Sequence, residues 1–360
     1  MNRVLMNGTS AIGESAIQAG CTYYFGYPIT PQNELPEYMS QRLPEVPGGV
    51  FIQAESELSA INMVLGASAA GARVMTSSSS PGISLKQESI SYLAAQELPA
   101  VIVNIVRGGP GLGNISFSQA DYFQSTRGGG HGDYRTIVLA PDSVQEMADM
   151  TYNAFDLADN YRMPVIVLGD GMLGQIMEPV IIPNAKKKTP VKKDYIVNGA
   201  KGRGPRVIKS FFVEGKDLED HNWKLFRKYR KIEQTEVLYD TYLLDDANMA
   251  VLAYGTAARI AKGAIKRLRK EDENIKIGMI RPKTLWPFPT KVIKDTSRII
   301  NDFFVFELST GQMIDDVKLS LDGRGHIHFY GRPGAVVPTP SELARIMARH
   351  YHQSQRTRKG

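Results

Sequence analysis

The chain has 360 residues, of which 42% are hydrophobic and 22% charged, so it can bury a core in each of two globular domains and lacks the composition of a disordered protein. Its net charge of +6 is modest, and its basic clusters lack the aromatic and glycine pattern of nucleic-acid-binding modules, so nucleic acid is not expected as a partner. The sequence contains no run of about 18 apolar residues and no N-terminal leader, which predicts a soluble, cytoplasmic protein without a membrane segment.

The single cysteine, Cys21, limits the redox chemistry that this chain can carry alone. One thiol cannot form an internal disulfide, and a cubane iron–sulfur cluster normally needs about four thiolates. Cys21 lies at a predicted helix-to-strand junction before apolar residues, and we interpret it as a buried structural thiol. An iron–sulfur cluster would therefore have to be held by another chain.

Apolar, β-branched segments alternate with amphipathic helical segments through the first half of the chain, and this order predicts βα units around a parallel sheet. Segments 101–106 and 164–168 are apolar nearly throughout, as expected of strands that helices cover on both faces. The predicted strands are 22–25, 50–52, 73–76, 100–106, 136–139 and 165–168. The predicted helices are 32–42, 57–70, 84–96 and 143–161.

A basic stretch rich in glycine and proline interrupts this pattern after Pro183. We interpret residues 186–245 as a linker with one polar helix near 220–232, so the predicted domains are 1–185 and 246–360. The second domain has its own βα series, with strands at 249–254, 276–280, 303–307 and 326–330 and helices at 257–270, 290–301 and 311–321. The basic clusters at 186–193, 224–231 and 345–359 are interpreted as solvated linker and tail, with a docking surface for an acidic partner as the alternative.

The loop at residues 27–31 (YPITP) directly follows the first predicted strand. Its two prolines fix φ and remove two backbone donors, so the loop is stiff. One interpretation makes Thr30 the N-cap and Pro31 the first residue of the next helix. The other makes the loop a platform that presents the Thr30 hydroxyl to a ligand, because open α/β sheets bind ligands at the carboxyl ends of their strands.

Residues 52–57 (IQAESE) place two glutamates where a strand meets a helix rich in small residues. A capping box, or carboxylates favoured by the helix dipole, would explain them structurally. Ala60 and Gly66 instead favour close approach of a backbone, a chain or a ligand. In such a poorly solvated place, a glutamate at the start of the helix could share a proton with a ligand nitrogen.

Two further loops are suited to bind an anion. Residues 76–82 (TSSSSPG) offer hydroxyl and N–H groups between a strand and a helix, although an ordinary turn with a cap would also explain them. Arg107 begins a glycine-rich loop, where it could bind a carboxylate through two hydrogen bonds or form a structural salt bridge. That loop, residues 107–113, matches neither the dinucleotide-binding fingerprint nor a phosphate-binding loop.

Residues 127–133 (RGGGHGD) combine four glycines with one histidine. The glycines permit close approach or movement of a lid, and we favour a structural or substrate-adjacent role over proton transfer. No second histidine lies at ligand spacing, so no metal site is expected here. Residues 169–171 (GDG) are similar to the start of a thiamine-type Mg²⁺ motif, but the downstream asparagine, Asn198, lies in the basic linker, so a structural role is preferred.

In this order, the segments YPITP, QAESE with its small-residue helix, TSSSSPG, Arg107 and GGGHGDY resemble the α subunits of 2-oxoacid:ferredoxin oxidoreductases. The dense part of the resemblance covers residues 6–179, and the second domain looks like the family's transketolase C-terminal-like domain. Within the family, the chain is most similar to the branched-chain type, which acts on 2-oxoisovalerate (3-methyl-2-oxobutanoate). Residues 8–10 (GTS) differ from the Gly-Asn-Glu that family members often carry, which puts in doubt a polar contact from that loop.

The resemblance implies an α/β fold in which a thiamine-diphosphate-binding pyrimidine domain with a parallel sheet precedes a smaller transketolase C-terminal-like α/β domain. It implies that Glu57 is the catalytic residue, which hydrogen-bonds N1′ of the pyrimidine, and that Pro28, Ile29 and Thr30 also contact the cofactor. Thr30 and Arg107 would contact the substrate, with Arg107 at its carboxylate. No metal ligand is assigned to this chain.

The implied reaction is oxidative decarboxylation of a 2-oxoacid to acyl-CoA, with electrons passing to ferredoxin. Thiamine diphosphate would be shared with a β subunit that carries the pyrophosphate-binding domain, Mg²⁺ and a [4Fe–4S] cluster, and coenzyme A would be the co-substrate. Gamma and ferredoxin-like subunits are further expected partners. The alternatives are 2-oxoglutarate or pyruvate as the substrate, and a non-catalytic structural or regulatory paralogue.

Overall fold

Strands and helices alternate through most of the chain, as the sequence predicts. The computed structural model describes residues 3–184 and 193–359, with side chains up to Gln355. Its strands are β1 (Val4–Asn7), β2 (Tyr23–Gly26), β3 (Val50–Gln53), β4 (Val74–Ser78), β5 (Ala100–Gly108), β6 (Asn114–Phe117), β7 (Ile137–Leu139), β8 (Pro164–Asp170), β9 (Met177–Val180), β10 (Tyr239–Tyr242), β11 (Met249–Leu252), β12 (Ile277–Pro282), β13 (Thr284–Trp286), β14 (Asp302–Glu307) and β15 (His326–Gly331). Its α-helices are α1 (Gly8–Gln18), α2 (Glu34–Arg42), α3 (Glu57–Ala69), α4 (Ser80–Ala95), α5 (Tyr122–Thr126), α6 (Val144–Tyr161), α7 (Gly171–Gln175), α8 (Gly215–Thr235), α9 (Gly255–Glu271), α10 (Thr290–Thr296), α11 (Met313–Leu321) and α12 (Pro340–Lys359), and a 3₁₀ helix at Leu43–Glu45 follows α2. None of the helices in these described ranges is long and apolar enough to cross a membrane.

The larger sheet confirms the predicted α/β class. Its main path runs β13-β7-β8-β5-β4-β2-β3, and β6 pairs with β5 beside that path. The pairs that join β2, β3, β4, β5, β7 and β8 are all parallel, so the carboxyl ends of these strands lie at one edge of the sheet. Strands β5 and β8 are buried along their whole length, as expected when helices cover both faces of a parallel sheet.

The second sheet has the order β10-β12-β11-β14-β15 and is parallel except for the β10–β12 pair. Two of the strands cross the domain boundaries expected from the sequence. Strand β10 comes from the segment interpreted as a linker, whereas β13 follows the second sheet's β12 and pairs antiparallel with β7 of the larger sheet. Strand β13 therefore ties the second domain to the larger sheet.

The segment interpreted as a basic linker contains α8, which is longer than the predicted helix at 220–232. Its buried side chains are Leu225, Tyr229 and Ile232. Lys228 is largely buried and pairs with Glu97 at the end of α4, its Nζ lying 3.2 Å from Glu97 Oε1. The interpretation of this cluster as solvated is therefore wrong at Lys228, because the helix packs on the first domain. Residues 185–192, which include most of the first basic cluster, lie outside the described residues.

The segment 345–359, interpreted as a solvated tail, is part of a helix, although its basic residues Arg345 and Arg349 are exposed as expected. Helix α12 covers this segment and packs against α9. Its buried apolar side chains are Leu343, Ala344, Met347 and Tyr351. After the adjacent pair Leu343 and Ala344, they follow at intervals of three and four residues, which is the pattern of an amphipathic helix. The dense basic residues of the segment obscured that pattern.

Arg281 of β12 links the second sheet to the first domain. It is fully buried, its Nη1 donates to Glu146 Oε2 at 2.7 Å, and its Nη2 donates to Glu146 Oε1 at 2.6 Å. It also pairs with Asp240, and its Nη1 lies 3.2 Å from Asp142 Oδ1. Burial acts to raise the pKa of Glu146, but the hydrogen bonds from Arg281 outweigh it and lower that pKa to about 2.

Candidate functional site

The motif-bearing loops meet at the carboxyl ends of β2, β4 and β5. Arg107, near the end of β5, is 6% exposed, and its Nη1 donates to the carbonyl oxygen of Thr30 at 3.0 Å. Its Nη2 donates to the carbonyl oxygen of Leu112 at 2.8 Å, and its backbone N–H donates to Ser80 Oγ at 3.0 Å. The Nε atom is buried and has no hydrogen-bond partner within the described chain. The structure therefore brings Thr30, the serine turn and Arg107 into one site.

The loop that carries Thr30 is not the start of a helix. Helix α2 begins at Glu34, so the interpretation of Thr30 as its N-cap and Pro31 as its first residue is wrong. The Thr30 hydroxyl is half-buried and accepts one long hydrogen bond, 3.5 Å, from Asn33 Nδ2. Pro28 is exposed and Ile29 is half-buried, so the loop presents an open surface at the edge of the sheet.

Buried polar residues connect this loop to the sheet through hydrogen bonds. Gln32 is fully buried, and its Oε1 accepts a hydrogen bond from Ser77 Oγ at the end of β4. Ser77 Oγ also shares a hydrogen bond with the hydroxyl of Tyr24 in β2. Gln32 Nε2 donates to the carbonyl oxygen of Tyr27 at 3.4 Å. This network fixes the loop to two strands and so defines where Thr30 lies.

Glu57 is the first residue of α3, and the residue before it leaves the Glu57 carboxylate free. The N-cap is Ser56, whose Oγ accepts from the N–H of Ser59 at 3.2 Å, so the carboxylate of Glu57 is free of the capping role. Glu57 is 7% exposed, and its carboxylate takes part in no hydrogen bond or ion pair within the described residues. Glu55 differs, because it is exposed and its Oε1 accepts from Ser59 Oγ at 2.9 Å. Of the two glutamates, only Glu57 is a buried carboxylate available to a ligand.

The serine turn, residues 76–82, and the start of α4 lie beside Glu57. A Cβ atom at Gly82 would lie 2.6 Å from Glu57 Oε1 and 2.1 Å from Ser78 Oγ, so the absence of a side chain there makes room for both groups. Ser78 and Ser79 are fully buried, and within the described chain their hydroxyls have no hydrogen-bond partner. Buried hydroxyls without partners are costly, and a polar ligand would satisfy them.

Lys86 is a site residue that sequence reasoning missed. It is fully buried one turn after Gly82 on α4, and its Nζ donates to Thr76 Oγ1 at 2.6 Å and to the carbonyl oxygen of Ser77 at 3.1 Å. Burial lowers the pKa of Lys86 to about 7, although the charge of Glu57 acts in the opposite direction. A signal was present in the sequence, since Lys86 shares with Ile83 and Ile90 the spacing of the buried face of α4.

The glycine-rich loop packs on α4 beyond Lys86. The N–H of Gly129 donates to Gln87 Oε1 at 3.0 Å, and the N–H of Gly130 donates to the hydroxyl of Tyr134 at 3.0 Å. A Cβ at Gly130 would lie 2.4 Å from the carbonyl oxygen of Gln87, so this close approach requires glycine. His131 is exposed. The described part of the chain contains no group of three or more His, Cys, Asp or Glu residues that could hold a metal ion.

Asp170, Asn198 and Cys21 lie in positions that do not indicate a catalytic or metal-binding role. Asp170 is buried and caps α7, since its Oδ1 accepts from the N–H groups of Met172 and Leu173 at 3.0 and 3.1 Å. Asn198, the candidate second element of a metal motif, is exposed and bonds to Arg203. Cys21 is fully buried as predicted, and burial raises the pKa of its thiol to about 12, which makes it unreactive.

Comparisons with known protein families match both parts of the chain. The family described as pyruvate flavodoxin/ferredoxin oxidoreductase, thiamine-diphosphate-binding, matches residues 14–242. Core domain II of pyruvate:ferredoxin oxidoreductase matches residues 247–343.

Individual relatives agree with these matches. The chain is 48% identical over 316 residues to ketoisovalerate oxidoreductase subunit VorB of Methanothermobacter marburgensis, covering 88% of this chain and 89% of that protein. It is 35% identical over 366 residues to 2-oxoglutarate synthase subunit KorA of Methanocaldococcus jannaschii, covering 95% and 98%. A solved 2-oxoglutarate:ferredoxin oxidoreductase from Magnetococcus marinus, with 2-oxoglutarate, coenzyme A and succinyl-CoA bound, superposes with a TM-score of 0.84 at 26% identity. That match covers 97% of this chain but 65% of the solved chain, which is therefore substantially longer.

Proposed function

Because this chain belongs to the 2-oxoacid:ferredoxin oxidoreductase family and contains its thiamine-diphosphate-binding domain, we propose that it holds the aminopyrimidine of the cofactor in an enzyme that oxidatively decarboxylates 2-oxoisovalerate. The products are a branched-chain acyl-CoA, carbon dioxide and reduced ferredoxin. One observation carries the proposal: Glu57 is buried without a partner in the described chain, and its carboxylate shares the gap at Gly82 with the unpartnered hydroxyl of Ser78.

These residues fit an aminopyrimidine. Its ring is flat and has hydrogen-bonding nitrogens along one edge, whereas the site offers a carboxylate, two hydroxyls and a gap where a side chain is missing. When bound, thiamine diphosphate supplies a carbon nucleophile and a sink for the electron pair that decarboxylation releases. Glu57 would hydrogen-bond the ring nitrogen N1′ and share a proton with it. This would favour the imino tautomer of the cofactor's aminopyrimidine.

Arg107 and Thr30 are proposed to bind the 2-oxoacid. The Arg107 guanidinium is held by the carbonyl oxygens of Thr30 and Leu112, so its orientation is fixed before substrate arrives. Its unpartnered Nε and its charge are suited to the substrate carboxylate. The Thr30 hydroxyl lies on the same loop and has only one long hydrogen bond, so it can contact the substrate or the cofactor.

The rest of the proposed enzyme belongs to partner subunits. Asp170 is used as a helix cap, and the chain has one cysteine, which burial makes unreactive. We assign Mg²⁺, the diphosphate site and the [4Fe–4S] cluster to a β subunit, with gamma and ferredoxin-like subunits completing the complex and ferredoxin as the acceptor. Exposed apolar side chains near the strand ends support contact with a partner, and they are Tyr27, Ile52, Leu58, Leu112 and Ile115.

The test is reconstitution with co-expressed partner subunits of this family, followed by an assay of viologen reduction that requires both a 2-oxoacid and coenzyme A. Glu57→Gln should reduce kcat by about 10²- to 10⁴-fold, because a carboxylate that shares a proton is replaced by an amide. The matched control is Glu55→Gln, two residues earlier and exposed, which should retain wild-type kcat.

Equal rates for the Glu57→Gln variant and wild type would contradict the assignment, and no activity with any 2-oxoacid would favour a non-catalytic paralogue. The same assay ranks substrates by kcat/KM. We expect 2-oxoisovalerate to exceed pyruvate and 2-oxoglutarate, and a higher kcat/KM for either alternative would overturn the substrate assignment.

A further inference from the structure

Lys86 is the only lysine in the described chain that is fully buried, and the charge of the proposed catalytic glutamate, Glu57, acts on it. Helix α4 places it one turn after Gly82, on the same side of the helix. Gly82 is the residue whose missing side chain makes room for the Glu57 carboxylate. Lys86 and Glu57 therefore approach the same small region from α4 and α3.

The surroundings of the Lys86 ammonium are polar but contain little charge. Two of its three N–H groups have acceptors, the hydroxyl of Thr76 at 2.6 Å and the carbonyl oxygen of Ser77 at 3.1 Å, both from β4. The third has no acceptor within the described residues, and no carboxylate there forms an ion pair with Lys86. The titratable group whose charge acts on Lys86 is Glu57, from α3.

Such a lysine is costly for the fold. A buried cation without a close counter-charge loses its hydration, and replacing it by an apolar residue of similar shape is often neutral or stabilising. A residue that weakens the fold is typical of sites where function requires an unfavourable charge. The feature of this region that a cation would serve is the isolated carboxylate of Glu57.

We propose that Lys86 is a positioning residue that supplies a positive charge near Glu57 and so favours the hydrogen bond between the Glu57 carboxylate and the pyrimidine nitrogen. The inference rests on the role of Glu57 in the proposed function. In the form with Lys86 protonated, only the proton between Glu57 and the ring nitrogen changes position. The summed charge of Lys86 and Glu57 then alternates between zero and +1. With a neutral residue at position 86, it would alternate between −1 and zero.

The first test measures stability on the full chain alone. Because burial lowers the pKa of Lys86 to about 7 from its ordinary value of 10.5, the unfolded chain binds a proton between these pH values that the folded chain does not. Stability therefore rises with pH across this window in wild type. Lys86→Met removes the effect, so its Tm should exceed that of wild type most at pH 6 and least at pH 10.

Lys193→Met is the control for this test. Lys193 is partly buried and its Nζ lies 2.9 Å from Asp159 Oδ1, so its replacement removes an ion pair and should lower the Tm at both pH values. If Lys86→Met lowers the Tm at pH 6, Lys86 stabilises the fold and the proposal is wrong.

The second test measures activity in the reconstituted complex. Lys86→Met should lower kcat by at least about 10-fold with little change in KM for the 2-oxoacid, because it acts through Glu57 and not on the substrate. Lys86→Arg keeps a charge at every working pH, so it should move the basic limb of the pH profile upward by at least about one unit. Lys193→Met should have the kcat and pH profile of wild type.

A double-mutant cycle separates this inference from the proposed function. If Lys86 acts through Glu57, Glu57→Gln with Lys86→Met should be no slower than Glu57→Gln alone. A Lys86→Met enzyme with wild-type kcat, alongside an inactive Glu57→Gln enzyme, would overturn the role of Lys86 and leave Glu57 in place. An active Glu57→Gln enzyme would overturn the proposed function itself, whereas the Tm comparison does not depend on either activity.

Discussion

Gly82→Ala is a direct test of the geometry around Glu57. The new Cβ would lie 2.6 Å from Glu57 Oε1 and 2.1 Å from Ser78 Oγ, whereas ordinary contact begins near 3.4 Å. The carboxylate oxygen must therefore move by about 0.8 Å, and displacement of a catalytic group by about 1 Å can cost about 10²-fold in rate.

The effect on the fold should be much smaller than the effect on activity. Overpacking costs about 1–3 kcal/mol, whereas alanine in a helix is favoured over glycine by about 1 kcal/mol. The gain in helix propensity partly offsets the overpacking cost. That cost is limited because the side chains of Glu57 and Ser78 can rotate away from the new methyl group. We expect the free energy of unfolding to fall by about 0–2 kcal/mol, measured by denaturant titration of the full chain.

The matched control is Gly66→Ala on α3. Apart from its chain neighbours and the backbone of α3 itself, no atom of the described chain lies within 4 Å of the Cβ position at Gly66, so the close approach expected there from the sequence is not made by this chain. This variant should increase the free energy of unfolding by about 1 kcal/mol. If Gly82→Ala retains wild-type kcat in the reconstituted complex, the proposed position of Glu57 at the cofactor is wrong.

Two further predictions concern the arginines. Arg107→Lys cannot hold the carbonyl oxygens of Thr30 and Leu112 and a carboxylate together, so the KM for the 2-oxoacid should rise about 10- to 100-fold; an unchanged KM would place the substrate carboxylate elsewhere. Arg281→Met leaves Glu146 and its neighbouring carboxylates without their buried partner and should destabilise the chain by about 3–5 kcal/mol, measured by denaturant titration at pH 7. The folded pKa of Glu146 is depressed to about 2 from 4.5, so its stabilisation is present above about pH 4.5 and lost as the pH falls toward 2. The difference between Arg281→Met and wild type should therefore narrow across that acid range, and a difference independent of pH would contradict the account.

The predicted strands and helices of the first domain were recovered because their signal is local. Strands such as β5 and β8 are apolar along their whole length, and α6 has an amphipathic pattern with a serine N-cap. The start of α2 was misplaced because Pro31 is compatible with the first turn of a helix, whereas the loop is held by buried Gln32 and Ser77. Those hydrogen bonds join residues 45 positions apart in sequence, so no local pattern reports them.

Long-range pairing explains the other differences. Strands β10 and β13 each join a sheet on the far side of the expected domain boundary, and both are only three or four residues long. Helix α12 was hidden by its basic residues, since its apolar positions are few but regularly spaced. These elements depend on partners distant in sequence, which composition and periodicity do not specify.

The candidate site likewise contains residues that the sequence predicts and residues that only the folded structure identifies. The sequence placed Thr30, Glu57, the serine turn and Arg107 at strand ends, and a parallel sheet necessarily brings such ends to one edge. It did not identify Lys86, because a lysine on a helix is usually solvated. The gap at Gly82 was equally hidden, since its purpose depends on where the Glu57 side chain lies.

The central claim is that Glu57 activates the cofactor, and the exchange rate of the thiazolium C2 proton of bound thiamine diphosphate tests it most directly. Exchange into D₂O can be followed by acid quench and NMR in complexes reconstituted with wild type, Glu57→Gln or Glu55→Gln, without 2-oxoacid. The account predicts that Glu57→Gln slows exchange by at least about 10²-fold at full cofactor occupancy, while Glu55→Gln exchanges as fast as wild type. Equal exchange rates in all three complexes would contradict it.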